Sequence, residues 1–172
     1  MDMGSATLVS VAEYLTAAYR PDRDYIDGEV VERNLGEYDH SGLQMALAAY
    51  LYNRRSQWGI RVVPEQRVQV RSGRFRIPDV CAVLAANPVE QIFTRPPFLC
   101  VEILSKDDRM SAMQDRISDY LQMGVPYVWL VDPPSRRAWI YTSDAIREVK
   151  DGVLRTQQPD IEVPLAEIFA EL

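Results

Sequence analysis

Hydrophobic positions follow a helical period in some stretches of this chain and a strand period in others, and their succession predicts a mixed α/β order. Ser10-Val11-Ala12-Glu13 reads as a capping box opening an amphipathic helix through about Tyr19, stopped by Pro21. Asp24 to Glu32 reads as a hairpin with Asp27-Gly28 as its tight turn. From about Asp39 to Gln57, Leu43, Leu47, Tyr50 and Leu51 fall at helical spacing, with Asp39 or Ser41 as the cap. A second hairpin follows. Gln66, Val68 and Val70 alternate with Arg67, Gln69 and Arg71, Ser72-Gly73 turns the chain, and Arg74 and Arg76 alternate with Phe75 and Ile77.

Beyond Pro78 the alternation gives way to continuous apolar sequence at Val80–Leu84, and again at Phe98–Leu104 and Tyr127–Val131. Such runs, rich in β-branched residues, are expected of strands covered on both faces. A helix from about Ser111 to Met123 places Met113, Ile117, Tyr120 and Leu121 on its inner face, and Gly124 and Pro126 end it. Pro133-Pro134-Ser135 turns into a strand over Arg137–Tyr141, and a short amphipathic helix lies within Ile161–Leu172. The expectation is one domain over residues 1–172 with a mixed central β-sheet flanked by helices.

A chain of 172 residues suffices for a sizeable core. No basic segment followed by a long apolar run opens it, and no apolar stretch approaches the roughly 20 residues of a membrane helix. Cys81 and Cys100 fall in buried strands, which suggests free thiols in a reducing cytoplasm and excludes a CxxC motif. The net charge of −6 argues against a dedicated nucleic-acid binder with a broad basic face. It leaves room for an enzyme that grips phosphate through a metal and a few arginines. Lys106 and Lys150 are the only lysines.

Two acids change the picture. Asp79 follows Pro78 inside an apolar stretch, and Glu102 is the one charge in Phe98–Leu104. A buried carboxylate costs on the order of several kcal/mol unless a cation or hydrogen bonds compensate it. One acid on each of two strands therefore suggests a shared cation, and a hydrolytic metal site is the sharpest candidate. Mg²⁺ takes one or two carboxylates and collects its remaining oxygens from water and phosphate. Asp79 and Glu102 would supply the carboxylates and the Ile103 carbonyl a further ligand. The alternative for Glu102 is a buried ion pair with Arg116, which flanks the apolar stripe of the following helix and can reach inward.

The ordered set Tyr25-Ile26-Asp27-Gly28-Glu29, His40 opening a long helix, Ile77-Pro78-Asp79-Val80, Val101-Glu102-Ile103-Leu104-Ser105, Tyr120 before Gly124-Val125-Pro126, and Trp129-Leu130-Val131-Asp132-Pro133 resembles the PD-(D/E)XK nuclease superfamily, in particular its bacterial Uma-type family of restriction-endonuclease relatives. The likeness extends to Pro164–Phe169. It implies a restriction-endonuclease-like fold and an Mg²⁺-dependent endonuclease hydrolysing DNA phosphodiesters, with Mn²⁺ as the alternative ion. Asp79 and Glu102 would be metal ligands, and Glu29, the acid of the first hairpin, would line the same site.

The basic residue departs from the pattern. A strict motif has lysine two positions after the acid, where this chain has Leu104, and the family's lysine four positions before the tyrosine is here Arg116. Arginine can stabilise charge on a phosphorane oxygen but cannot serve as a base. Lys106 is a second candidate for the basic role. The other class of reading is a catalytically silent, nuclease-fold binding or regulatory domain held by a Glu102–Arg116 pair. His40, the sole histidine, is expected to make a local hydrogen bond at a helix start or to join the site. Arg67, Arg71, Arg74 and Arg76 form either a phosphate-contacting ribbon or the wet face of a hairpin. A homodimer is expected, since small nucleases that cut both strands often pair.

Overall fold

The computed structural model describes residues 7–34 and 36–172. Helix α1 (Val11–Thr16) starts at the expected capping box: the Glu13 N–H donates to the Ser10 hydroxyl, and the Ser10 N–H donates to the Glu13 carboxylate. It ends sooner than its pattern predicts because Ala17 is already extended. Strands β1 (Asp24–Ile26) and β2 (Glu29–Val31) form the first hairpin, with positive φ at both Asp27 and Gly28, as a tight turn joining right-twisted strands requires.

The expected long helix is two pieces, α2 (Tyr38–Asn53) and α3 (Arg55–Trp58), separated at Arg54. Neither Asp39 nor Ser41 caps α2. The Ser41 N–H already bonds to the Glu37 carbonyl, so Glu37 is the N-cap and both residues lie in the first turn. Left-handed Gly59 ends α3 and releases the chain into β3 (Ile60–Pro64), a strand the pattern of residues does not announce.

Strands β4 (Val68–Arg71) and β5 (Arg74–Arg76) form the second hairpin, and β5 also pairs with β1, giving a sheet of order β2-β1-β5-β4. The central sheet adds β6 (Val80–Leu84), β7 (Leu99–Ile103), β8 (Tyr127–Asp132), β9 (Arg137–Tyr141) and β10 (Ile146–Glu148) in the order β10-β9-β8-β7-β6-β3. Its parallel pair is β7–β8, bridged by helix α4 (Met110–Met123), and the sheet is otherwise antiparallel. A ribbon of β11 (Val153–Arg155) and β12 (Glu162–Pro164) leads into α5 (Leu165–Ile168).

The sheet is covered on both faces, as its continuous apolar strands predict. Leu99, Val101, Ile103, Trp129 and Val131 pack with Leu43, Leu47 and Leu51 of α2. Cys100, Val128 and Leu130 pack with Met113, Ile117 and Tyr120 of α4. Side chains alternate across a strand, so Glu102, between Val101 and Ile103, faces α4. Cys81 and Cys100 are register partners in β6 and β7 and carry free, buried thiols. Among the described residues no helix is long and apolar enough to cross a membrane.

Candidate active site

Asp79 sits immediately before β6 and is 2% exposed. Its carboxylate is held from three directions. The Ile103 N–H donates to Oδ2 at 2.7 Å, a guanidinium nitrogen of Arg33 donates to Oδ1 at 3.1 Å, and His40 Nε2 stands 3.4 Å from Oδ2. Gln44 donates from α2 to the Asp79 carbonyl at 2.9 Å. The bond to Ile103 sets the Asp79 carboxylate beside the residue that follows Glu102, so the two acids lie at neighbouring ends of adjacent strands. Burial disfavours the His40 imidazolium, but the hydrogen bond and negative charge of Asp79 outweigh it and raise the His40 pKa above its ordinary value.

Glu102 is fully buried. Tyr120 donates its hydroxyl to Oε1 at 2.6 Å, and Arg116 donates to Oε2 at 3.1 Å. Tyr120 and Arg116 are one helical turn apart on α4, which is why both reach the same carboxylate. Burial pushes the Glu102 pKa up to about 7 against the pull of Arg116, and nearby Asp79 adds to the rise. Burial and the Glu102 charge likewise drive the Tyr120 hydroxyl well above the usual phenol range.

A third acid, Asp24, completes the cluster. It is buried at the start of β1, where Arg76 donates to its Oδ2 at 3.0 Å and Arg116 lies 3.6 Å from the same oxygen. Arg76 also donates to Asp119 at 2.7 Å, and Arg74 donates to Asp119 and Asp27. The hairpin arginines are therefore not a uniform wet ribbon. Arg76 is buried and Arg74 half-buried, because pairing β5 with β1 turns them toward the acids of β1 and α4.

A cavity of about 300 Å³ opens over this cluster, lined among others by Arg20, Arg33, His40, Asp79, Ile103 and Arg116. Glu102 does not line it and lies behind Arg116. Two of the sequence candidates are elsewhere. Glu29 is exposed at the turn end of the first hairpin, opposite Ile26, and does not line the cavity; Asp24, at the other end of β1, is also outside the cavity lining but reaches Arg116 from behind it. Lys106 is exposed and paired with Glu37, also outside the cavity. Asp24 had one signal in the sequence, an acid sharing strand parity with Ile26. Arg33 and Gln44 had none, since a loop arginine and a helical glutamine carry no directional pattern.

No group of three or more His, Cys, Asp or Glu side chains among the described residues is arranged to hold a metal by itself. The oxygens of Asp79 and Glu102 are the hard donors that Mg²⁺ accepts when phosphate and water complete its shell. Asp79 Oδ1 and both Glu102 oxygens each take one hydrogen bond and retain a second lone pair, whereas Asp79 Oδ2 faces both the Ile103 N–H and His40. The donor set suits a divalent ion bound together with a phosphate.

The sheet order, the α2 and α4 cover and the paired acids at the strand ends define a restriction-endonuclease-like α/β fold. Residues 11–169 match the Uma2 family, described as "Putative restriction endonuclease", and the chain belongs to that family. No curated protein matches it. Among solved structures it is similar to a "putative nuclease belonging to DUF820" from Anabaena variabilis ATCC 29413, with a TM-score of 0.80 and 18% identity over 94% of this chain and 98% of that one. A looser similarity, with a TM-score of 0.46 and 15% identity, links 75% of this chain to 10% of a chain in the cryo-EM structure of the DrdV–DNA complex.

Proposed function

We propose that this protein is a divalent-metal-dependent endonuclease that hydrolyses DNA phosphodiesters, with Asp79 and Glu102 as its metal ligands. The observation that carries the reading is the Ile103–Asp79 hydrogen bond, which sets the Asp79 carboxylate against the strand end that carries Glu102, beside a cavity lined by Arg20, Arg33 and Arg116. Mg²⁺ or Mn²⁺, when bound, would supply an activated water and offset charge growing on phosphorus. Ile103, at the cavity wall, would add an oxygen ligand from its backbone.

The chain's own residues do the rest. A phosphate entering the cavity competes with the carboxylates for Arg33 and Arg116, and planar guanidinium groups suit phosphate as well as carboxylate. As Arg116 turns toward phosphate, Glu102 Oε2 is released. Arg116 then stabilises negative charge on the non-bridging oxygens. Water oxygen joins phosphorus and one ester P–O bond breaks, leaving a phosphate monoester end and a hydroxyl end. Asp24 holds Arg76 and Arg116 in place from behind.

One observation favours a second reading. Arg116 and Tyr120 satisfy Glu102 without any metal, as they would in a catalytically silent domain that retains the fold for binding. Supercoiled plasmid incubated with purified protein and Mg²⁺ or Mn²⁺ separates the two. The first reading expects nicked or linear product that Asp79→Ala and Glu102→Ala both abolish. Equal background from wild type and variants decides for the second.

A further inference from the structure

Helix α2 has two apolar faces; one enters the core, and the other is largely open, with Leu172 flanking it at Gly42. Leu43, Leu47 and Leu51 enter the core, whereas Tyr38 and Met45 are 73% and 70% exposed and Tyr52 is half exposed. A helix apolar all round is ordinarily covered all round. Tyr38, Gly42, Met45, Ala49 and Tyr52 are spaced four, three, four and three residues apart, the stripe by which two helices pack knobs into holes. The stripe reads large, small, Met, small, large, and is palindromic in residue size about Met45, with the two tyrosines seven residues to either side and the small residues three before and four after.

A palindromic seam fits its own copy run the opposite way. Antiparallel pairing about Met45 layers Tyr38 on the second copy's Tyr52, Gly42 on Ala49, and Met45 on Met45. A two-fold interface is self-complementary in this sense, each patch meeting itself.

The charges agree. Asp39 lies at the start of α2 and Arg54 and Arg55 at its end, and none of the three has an ion-pair partner among the described residues. In the antiparallel arrangement each Asp39 approaches the arginine end of the other helix. A groove of about 420 Å³ beside the stripe is lined by Glu167 and Glu171 as well as by Tyr38, Met45 and Arg54, adding acid within reach of the incoming arginines. A parallel pair would bring Asp39 against Asp39.

We propose that the exposed face of α2 is the two-fold interface of a homodimer, with Met45 on the axis. The inference stands independently of the nuclease reading, because no residue of the stripe lines the acid-bearing cavity.

Sedimentation velocity across a concentration series tests it with the full chain. The wild type should sediment as a dimer, and Met45→Glu should raise the dissociation constant on the order of a hundredfold while leaving the far-ultraviolet circular dichroism unchanged. Under mild oxidant Met45→Cys should form a disulfide-linked dimer, whereas Ala49→Cys, displaced from its mate along an antiparallel seam, should not. Cys81 and Cys100 are buried and provide a silent background. A wild-type monomer at every concentration, a dimer that survives Met45→Glu, or equal cross-linking at positions 45 and 49 would overturn the proposal.

Discussion

The Ile103 N–H donates to Asp79 Oδ2 at 2.7 Å, tying the turn before β6 to the end of β7 with one charge-assisted bond. Through it Asp79 is fixed against the strand end that carries Glu102.

Replacing Asp79 by Asn keeps an oxygen for that N–H but removes the negative charge opposite Arg33 and His40. Breaking a buried pair leaves a cation without compensation, at a cost of about 3 kcal/mol. Urea unfolding should show this loss as a lower midpoint at an unchanged slope. A loss below about 1 kcal/mol would mean that Arg33 finds solvent easily and that the cluster is looser than its distances indicate.

Asp24 and Arg76 belong to one network with Arg116 and Asp119. Asp24→Asn and Arg76→Gln should each destabilise by about 3 kcal/mol. Together they should cost less than their sum by about 1 kcal/mol or more, because the second change removes a partner already lost. Additive effects in a double-mutant cycle would contradict the shared network.

Stability should fall as pH rises through the weakly acidic range in metal-free buffer. Burial raises the Glu102 pKa from 4.5 to about 7, so between these values the folded protein holds a proton that the unfolded chain has released. His40 acts in the same direction. Burial opposes its charge but Asp79 prevails, so its stabilisation is present below the ordinary histidine value of 6.5 and is lost as pH rises through the raised one. Thermal melts should descend over this window, and Glu102→Gln should flatten the part between pH 4.5 and about 7. Identical profiles for wild type and variant would exclude Glu102 as the source.

Arg116→Lys tests whether the arginine restrains the chemistry. A lysine retains the positive charge, but its single ammonium lacks the planar fork that now spans Glu102 and Asp24. Glu102 is then freed more readily, and plasmid nicking with Mg²⁺ should accelerate by about tenfold or more. A slower or unchanged rate would show that Arg116 is the better group at this position.

Local pattern was enough to place the capping box at Ser10, the Asp27-Gly28 turn, the buried runs of β6, β7 and β8, and the end of α4 at Gly124. Each of these follows from interactions within a few residues or from burial alone, and burial leaves its mark in composition. Asp79, Glu102 and Arg116 are legible as candidates, because charges inside apolar runs or beside an apolar stripe stand out. Local pattern does not show β3, which is completed only by pairing with β6, nor β10, β11 and β12, which at three residues each are too short to carry a readable alternation. The pattern points to Glu29 rather than to Asp24, the acid that reaches Arg116, since a hairpin's sequence does not say which of its ends faces the neighbouring helix.

Tertiary structure alone decided that Arg33 reaches Asp79, that Arg76 turns inward to Asp24 and Asp119, and that Arg116 and Tyr120 close over Glu102. Long flexible side chains choose their partners by the electrostatics of what folding brings near, and that choice is written in no local period of the chain. The residues carrying charge were therefore visible in sequence, while the pairing that balances them existed only once β1, β5, β7 and α4 had come together.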